Sequence, residues 1–432
     1  MGTTVFARGA LLLVPVIVSV FSSSLVRAEE QVISLPQVIE FALHNNGDLK
    51  ALREEKGIRD AGKVRAGLLP NPTLDLEAGT GALTGSKKEN SQAIGLSQEF
   101  FLTGKRAKRL TVAERELDLY RWQLSEQERL LRDEVKTSFY DALLAKERVA
   151  LADRSTVLNK QLLDVTKERL AAGDIPELEM GLVKVELARS EGARIDAEKA
   201  MLQTQARLWT LIGLPIGSQT AISGRLESIA YIPRQLTDLK QLAISNRPDI
   251  KGLEAEKERG EADIILAQAE GVPNLTTGLV FRRDTTSKEI GGVEGKDTAY
   301  AIGVRLSMPI PIFDRNQASI QEARAKRSSS ESRLVAITRR VEREVETAYV
   351  NYQSATAILS LYKADIIPQL EENLMLTQEA YRLGEVGILA VIQEQKKFFE
   401  VNDGYLTALH GRQTAFSKLE SAVAAELVGG VQ

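Results

Sequence analysis

The sequence predicts a mainly α-helical protein with a transmembrane β portion, and three features of the chain support that fold class. Residues 105–172 and 315–383 contain no glycine and a single proline between them, which is typical of very long helices. Four short segments alternate polar and apolar residues, as amphipathic strands do. The pattern occurs twice, so that each half consists of a helix, two strands, a very long helix, a turn and a further helix.

The first 28 residues are predicted to be a secretory signal peptide. Arg8 precedes an almost wholly apolar run over residues 9–21, and small residues precede Glu29. A membrane-spanning helix needs about 20 apolar residues, more than this run provides. We therefore expect cleavage near Ala28 and export of the chain.

The remaining chain is predicted to be two structural repeats, residues 29–228 and 229–432. Residues 48–52 (DLKAL) match residues 249–253 (DIKGL), 201 positions later. Three further matches follow in the same order: LPN with VPN, AIGL with AIGV, and the two glycine turns that contain Gly173 and Gly384. Four matches in one order indicate a duplication.

Each repeat carries a predicted pair of short strands joined by a polar, glycine-containing loop. The strands are expected at about 72–79 and 92–101, and at about 274–283 and 298–308, with loops over 79–91 and 284–297. Alternation of this length suits a transmembrane barrel, although an ordinary amphipathic sheet packed on helices fits each strand nearly as well. Since four strands cannot close a barrel, several chains must share one if the strands enter a membrane.

The long helices are expected over 104–172 and 315–383, the second interrupted only by Pro368. Apolar residues recur every seven positions along both, which predicts coiled-coil packing against neighbouring helices. A helix of this length reaches about 100 Å. Each is followed by a predicted turn, at 173–176 and at 384–387.

Composition excludes several classes of function. The formal net charge of −3 gives no reason to expect nucleic-acid binding. The chain has no cysteine and only two histidines, His44 and His410, which argues against disulfides, thiol catalysis and a metal site. Gly104-Lys105 is not a phosphate loop, because Glu99 and Arg106 occupy positions that need glycine and a hydroxyl residue. We predict neither an enzyme nor a bound cofactor.

The motifs resemble those of the TolC-like outer-membrane efflux proteins, heavy-metal efflux branch (CzcC/CusC-like), over essentially the whole mature chain. The resemblance rests on the duplicated layout and on three junction sequences: residues 69–72 (LPNP), 98–106 (QEFFLTGKR) and 309–315 (PIPIFDR). No single motif is specific, but their order and spacing together are.

The resemblance implies a homotrimer in the outer membrane with a large periplasmic portion. Its twelve strands would form one β-barrel, continued by a long α-helical barrel, with the segments near Leu214 to Gln235 and the C-terminus forming a belt. Implied partners are a periplasmic adaptor (membrane fusion) protein, an inner-membrane pump of the resistance-nodulation-division type and outer-membrane lipid.

The resemblance also places a gate and an adaptor-docking surface at the helical tips. The candidate residues are Gly173, Asp174, Glu177, Glu179, Tyr381, Gly384 and Glu385. Tyr381 and Glu179 match a tyrosine and its acidic partner in the family prototype. Val386, Ala390 and Gln393 depart from its second link and its acidic constriction, so the position of a selectivity ring stays open. An ordinary coiled-coil role for Tyr381 and Glu179 is the alternative.

Two functions remain after the sequence has been considered. The first is an outer-membrane exit duct for tripartite efflux, of which a conduit for protein secretion is a variant. The second is a periplasmic coiled-coil scaffold that is not inserted in the membrane.

Overall fold

The computed structural model describes residues 31–83, 86–214, 220–226 and 234–427. The predicted signal peptide, residues 1–28, lies outside these ranges. The predicted boundary between the repeats, at residues 228 and 229, also lies outside them.

The first half of the described chain contains a very long helix preceded by two short helices and a pair of strands. Its elements are β1 (Gln31–Ile33), α1 (Leu35–Asn45), α2 (Gly47–Gly67), β2 (Thr73–Thr80), β3 (Asn90–Phe100), α3 (Lys105–Ala172) and α4 (Glu177–Leu211).

The second half repeats this order, with one interruption in its long helix. Its elements are β4 (Thr220–Ile222), α5 (Leu236–Asn246), α6 (Pro248–Glu270), β5 (Leu275–Ile290), β6 (Val293–Ser307), α7 (Gln317–Leu361), a π-helical turn (Tyr362–Ile366), α8 (Ile367–Arg382) and α9 (Ile388–Val423).

The helix that was expected to open each repeat is two helices that meet at a corner residue. The corners, Asn46 and Arg247, lie 201 positions apart and both have extended backbone ψ angles, 127° and 124°. Asn46 caps α2, because its side chain accepts the N–H of Leu49 at 3.0 Å. Arg247 precedes Pro248, whose ring disfavours helical geometry in the preceding residue. The single-helix expectation missed both breaks.

The Arg247 corner holds an ion-pair network around a buried guanidinium. Its guanidinium binds both carboxylate oxygens of Asp249, at 3.0 and 2.6 Å, and one oxygen of Glu344 on α7 at 2.6 Å. Burial opposes the charged form of Asp249, but hydrogen bonding and attraction to Arg247 outweigh it and hold the pKa of that carboxyl below its usual value.

The four longer strands form one antiparallel sheet in the order β2-β3-β5-β6. One row across it places Leu76, Ile94, Phe281 and Ile302 side by side, and all four are exposed. The neighbouring row on the same face is Leu74, Leu96, Leu279 and Val304. The opposite face carries small and charged side chains, and there Arg282 lies 3.8 Å from Glu77. β2 and β6 are the edges of this sheet.

The β5–β6 hairpin is longer than the sequence predicted. Strands were expected to end near residue 283 and to resume near 298, yet pairing continues to Ile290 and Val293 across the stretch expected to be a loop. Gly291 and Gly292 close the hairpin with φ angles of 63° and 80°. A two-residue turn with positive φ at both positions matches the twist of the strands, which explains why the pairing extends to it.

The two long helices differ from one another. α3 is continuous over 68 residues, whereas the helix expected over 315–383 begins at Gln317 and contains the π-helical turn at 362–366. Pro368 lacks an N–H and cannot bond to the preceding turn, and just before it the N–H of Ile367 donates to the carbonyl of Tyr362, five residues back. Gly404 allows α9 to pack closely against this turn, since a Cβ at position 404 would lie 2.5 Å from the Tyr362 hydroxyl.

The strand–helix junction is joined by polar contacts around the buried Lys105 side chain. Lys105, the first residue of α3, is only 2% exposed and donates to Asn274 Oδ1 at 2.6 Å. Asn274 in turn donates to Glu99 at the end of β3, also at 2.6 Å. Glu270 at the end of α6 lies 3.6 Å from the Lys105 ammonium and is paired with Arg109 at 2.6 Å. The QEFFLTGKR and VPN motifs therefore meet in one structural site.

Two apolar cores lie about halfway along the long helices. One packs α1 and the end of α4 against α3, around Val135 and Phe139, and the other packs α5 against α7 and α9, around Val341 and Phe416. The parallel pair β1–β4, which the sequence did not predict, joins the start of the first half to the segment after α4. The predicted belt falls partly on residues 215–219, 227–233 and 428–432, outside the described ranges.

Candidate functional site

The two helical tips end in turns of the same geometry. Gly173 and Gly384 adopt left-handed φ angles of 82° and 81°, a conformation that glycine adopts without steric cost. The N–H of Asp174 donates to the carbonyl of Arg169 at 3.0 Å, and that of Glu385 donates to the carbonyl of Ala380 at 2.8 Å. These bonds satisfy carbonyls at the end of each helix and reverse the chain within a few residues.

Tyr381 lies between the two tips and is 1% exposed. Its hydroxyl is 3.3 Å from Thr166 Oγ1 on α3 and 3.4 Å from Glu179 Oε2 on α4. The Thr166 hydroxyl donates to the carbonyl of Leu162 at 2.7 Å, so Thr166 accepts from the phenol. The single phenolic proton is therefore shared between Thr166 and Glu179.

The environment of Tyr381 keeps the phenol protonated. Burial raises the pKa of Tyr381, the Glu179 carboxylate adds to the rise, and Thr166 and Arg169 partly oppose it. The Arg169 guanidinium lies 4.7 Å from the centre of the Tyr381 ring and donates to the Tyr381 carbonyl at 2.8 Å. One arginine from α3 thus holds both the ring and the backbone of α8.

An apolar cluster surrounds this polar link. Leu162, Val183, Ile388 and Val391 are buried with Tyr381, and they come from α3, α4 and α9. Because the cluster draws on both helical hairpins, it joins the α3–α4 tip to the α8–α9 tip within one chain. Val386 packs against its edge, whereas Gln393 is exposed.

The other acidic candidates lie apart from this cluster. Asp174 and Glu177 are exposed beside the first turn and Glu385 is exposed beside the second. In the described parts of the chain none of the three forms an ion pair within 4.0 Å. Of the seven candidate residues, the structure therefore brings Glu179 and Tyr381 into contact, places the two glycines at the turns, and leaves three carboxylates in solvent.

Two residues of this site were not among the sequence candidates. Nothing in the sequence singles out Thr166 as a site residue, since threonine is common on coiled-coil helices. Arg169 belongs to the duplicated turn sequence, but its position over an aromatic ring becomes visible only when α3 and α8 are placed together.

The part of the chain that the structure describes offers few other groups that could bind a metal or act as a catalyst. His410 lies 2.7 Å from Asp141, and His44 bonds to the Glu40 carbonyl at 3.0 Å. Across residues 31–427, gaps excepted, no three histidine or acidic side chains form a group that could hold a metal ion. Within the same ranges, no helix is sufficiently long and apolar to cross a membrane.

Comparisons with known proteins agree with this architecture. The model of the family described as outer membrane efflux protein matches residues 38–214 and 239–425. The cobalt-zinc-cadmium resistance protein CzcC of Cupriavidus metallidurans is 25% identical over 377 residues, 87% of this chain and 86% of the relative. The nickel-cobalt-cadmium resistance protein NccC of Alcaligenes xylosoxydans is 27% identical over 64% of this chain and 60% of the relative.

Solved structures share the fold. A crystal structure of CusC superposes with a TM-score of 0.74 at 18% identity, covering 91% of this chain and 92% of that one. The open state of the MtrE outer-membrane channel of Neisseria gonorrhoeae gives 0.71 at 19% identity, covering 92% and 90%. The solved structures agree in fold, and the family match favours the channel over the periplasmic scaffold. The chain belongs to the outer membrane efflux protein family, a family of transport ducts rather than enzymes.

Proposed function

We propose that three copies of the chain form the exit duct of a tripartite efflux system, through which heavy-metal cations pass passively to the exterior. A periplasmic adaptor and an inner-membrane pump of the resistance-nodulation-division type would deliver the cargo. No catalytic step in the duct is part of the proposal.

The observation that carries the proposal is the sheet. Its apolar face is exposed along two full rows, and its edges, β2 and β6, each pair with one neighbouring strand among the described residues. Lipid would cover the apolar face, and strand pairing between copies would supply hydrogen-bond partners for the backbone groups of both edges. Twelve strands from three copies exceed the minimum of about eight for a closed barrel.

The helices support the same assembly. α4 exposes Leu178 and Val185, seven positions apart, and then Ile195 and Leu202, again seven apart. Leu376 on α8 and Leu383, the residue that follows α8, are exposed at the same spacing. Heptad rows that the described residues of their own chain leave uncovered are suited to packing against helices of another copy.

The relatives support the class of cargo. CzcC, NccC and the nickel and cobalt resistance protein CnrC are named for resistance to heavy metals. Other relatives are named for pyoverdine export and protease secretion. Loss of this chain should therefore raise cellular cobalt, zinc or cadmium and leave protease secretion unchanged. Unchanged metal content together with lost secretion would reassign the cargo.

We further propose that Tyr381, Glu179 and the glycine turns form the gate, and that Asp174, Glu177 and Glu385 contribute to adaptor docking. The carboxylates are solvated and lie beside the turns, where a partner can reach them. The Tyr381 link joins the two helical hairpins of one chain. Opening of the tip must therefore either break this link or move the two hairpins together.

A matched pair of substitutions tests the duct. Ile302→Arg places a charge on the apolar face, at a cost of about 2–4 kcal/mol if that face meets the middle of a bilayer. Gly303→Arg places the same charge on the opposite face, where a Cβ meets no atom within 4 Å. We expect the first variant to lose trimer and ion conductance in planar bilayers, and the second to keep both. A monomeric parent without conductance, or equal effects of the two changes, would refute the duct.

A further inference from the structure

An exposed apolar segment follows the last strand of the sheet. After Ser307, the chain continues as Met308-Pro309-Ile310-Pro311-Ile312-Phe313 before it becomes polar at Asp314. Ile310 is 76% exposed and Phe313 is 92% exposed. So large an apolar exposure in six consecutive residues indicates a surface that is covered in the working protein.

This segment continues the apolar face of the sheet. Tyr300, Ile302, Val304 and Leu306 are exposed on that face of β6, and Met308, Ile310 and Ile312 keep the same parity along the chain. β6 ends where the prolines begin, because proline has no N–H for the ladder. The apolar stripe therefore passes from the strand into the junction without a polar break.

The backbone of the segment is suited to an environment with little water. Pro309 and Pro311 have no N–H to satisfy, and the N–H of Ile312 donates to the carbonyl of Ile310 at 2.9 Å. Three of the four consecutive positions 309–312 thus present no unsatisfied donor. An unpaired donor is costly in an apolar medium, so this sequence removes the main obstacle to placing a non-helical loop there.

The equivalent junction in the first half of the chain is better covered. Phe101 is partly buried there, and the Arg109 guanidinium lies 4.6 Å from the centre of its ring. Phe313 is left without a comparable cover by the described part of the chain. Pairing of the β6 edge with another copy would engage its backbone within the plane of the sheet and would leave the apolar face uncovered, since side chains stand perpendicular to a sheet.

We propose that Met308–Phe313 is a membrane anchor, in which Ile310, Ile312 and Phe313 enter the interface of the periplasmic leaflet and contact phospholipid acyl chains. The inference rests on the proposed barrel. The segment lies at the helical end of the sheet, and the charged residues Asp314 and Arg315 follow it at the level of the headgroups. The anchor fixes the depth at which the strands end and the helices begin.

The absence of cysteine from the chain provides a direct test. A single cysteine at Phe313, Ile302 or Lys146 is labelled with a nitroxide in the full mature protein, reconstituted in phosphatidylethanolamine–phosphatidylglycerol vesicles. Collision rates with oxygen, which partitions into lipid, and with a water-soluble nickel chelate then report depth. Ile302→Cys marks the middle of the apolar face and Lys146→Cys marks an exposed position on α3.

We expect the oxygen-to-nickel ratio at 313 to lie between those at 302 and 146, several-fold above the latter. A label at 313 as open to nickel as the one at 146 would show that the segment is in water. A label shielded from both reagents would show that a second copy covers it. Either result overturns the anchor while a high ratio at 302 keeps the barrel, and a low ratio at 302 overturns the barrel itself.

Discussion

Tyr381→Phe isolates the contribution of one hydroxyl to the closed tip. The change keeps the aromatic ring, and with it the contact with Arg169 and the packing against Val183 and Val391. It removes a proton that is shared between Thr166 and Glu179. The perturbation is therefore confined to the polar link between the helical hairpins.

The geometry sets the size of the effect. Both acceptors lie beyond the usual hydroxyl distance of about 2.8 Å, at 3.3 and 3.4 Å, and only one proton serves them. We therefore expect a loss of about 1 kcal/mol, below the range of about 1.5–3 kcal/mol for a well-formed bond to a charged group. If the closed state alone contains the link, the gate equilibrium shifts about fivefold towards open.

The assay is single-channel conductance of the reconstituted protein, with Tyr349→Phe as a control that removes a hydroxyl far from the tip. Glu179→Gln should give a smaller shift, because a neutral amide still accepts a hydrogen bond. The double variant should exceed Tyr381→Phe very little, since both changes act on one interaction. Parental conductance in both single variants, or simple addition of their effects, would show that the pair is not the link.

Three further predictions concern stability. Lys105→Met leaves Asn274 and Glu270 without their buried cation and should lower the free energy of unfolding by about 3 kcal/mol in denaturant titrations followed by circular dichroism, whereas Lys146→Met on the exposed face of the same helix should change it little. Because the pKa of Asp249 is lower in the folded state, the unfolded state binds more protons in acid, so its contribution is complete above pH ~4 and is lost as the pH falls through the folded value. Asp249→Asn should flatten that acid limb, and an unchanged limb would exclude the carboxyl as its source. Leu124→Pro should cost at least ~3 kcal/mol and abolish recovery of folded protein, and normal recovery would contradict a continuous α3.

The extent of α3 was predictable because its limits are set by local chemistry. Gly104 and Gly173 lie at its two ends with left-handed φ angles, and no proline or glycine separates them. The length of the β5–β6 hairpin was missed for a related reason. Thr285, Thr286 and Ser287 are polar enough to suggest a loop, and the Gly291-Gly292 turn that specifies the pairing was counted as part of that loop.

The candidate site was less accessible to sequence reasoning. The glycine turns predict the tips. The contact between Tyr381 and Glu179, however, joins residues about 200 positions apart, and no local pattern specifies it. It was suggested only by resemblance to a family. Arg169 and Thr166 lie at ordinary coiled-coil spacings, so their role emerges from the packing of two hairpins. Pro368 announced an interruption in the second long helix, but not that the interruption is a π-helical turn.

That turn has a mechanical consequence for a threefold assembly of the proposed kind. A π-helical turn inserts one residue into the helical repeat, and it weakens resistance to bending where it occurs. Each copy contributes one uninterrupted strut, α3, and one strut with a compliant joint at 362–366. If three copies form the proposed cylinder, helices with and without this turn would alternate around it. We would then expect the cylinder to widen at the three interrupted helices, while the three uninterrupted helices keep their positions.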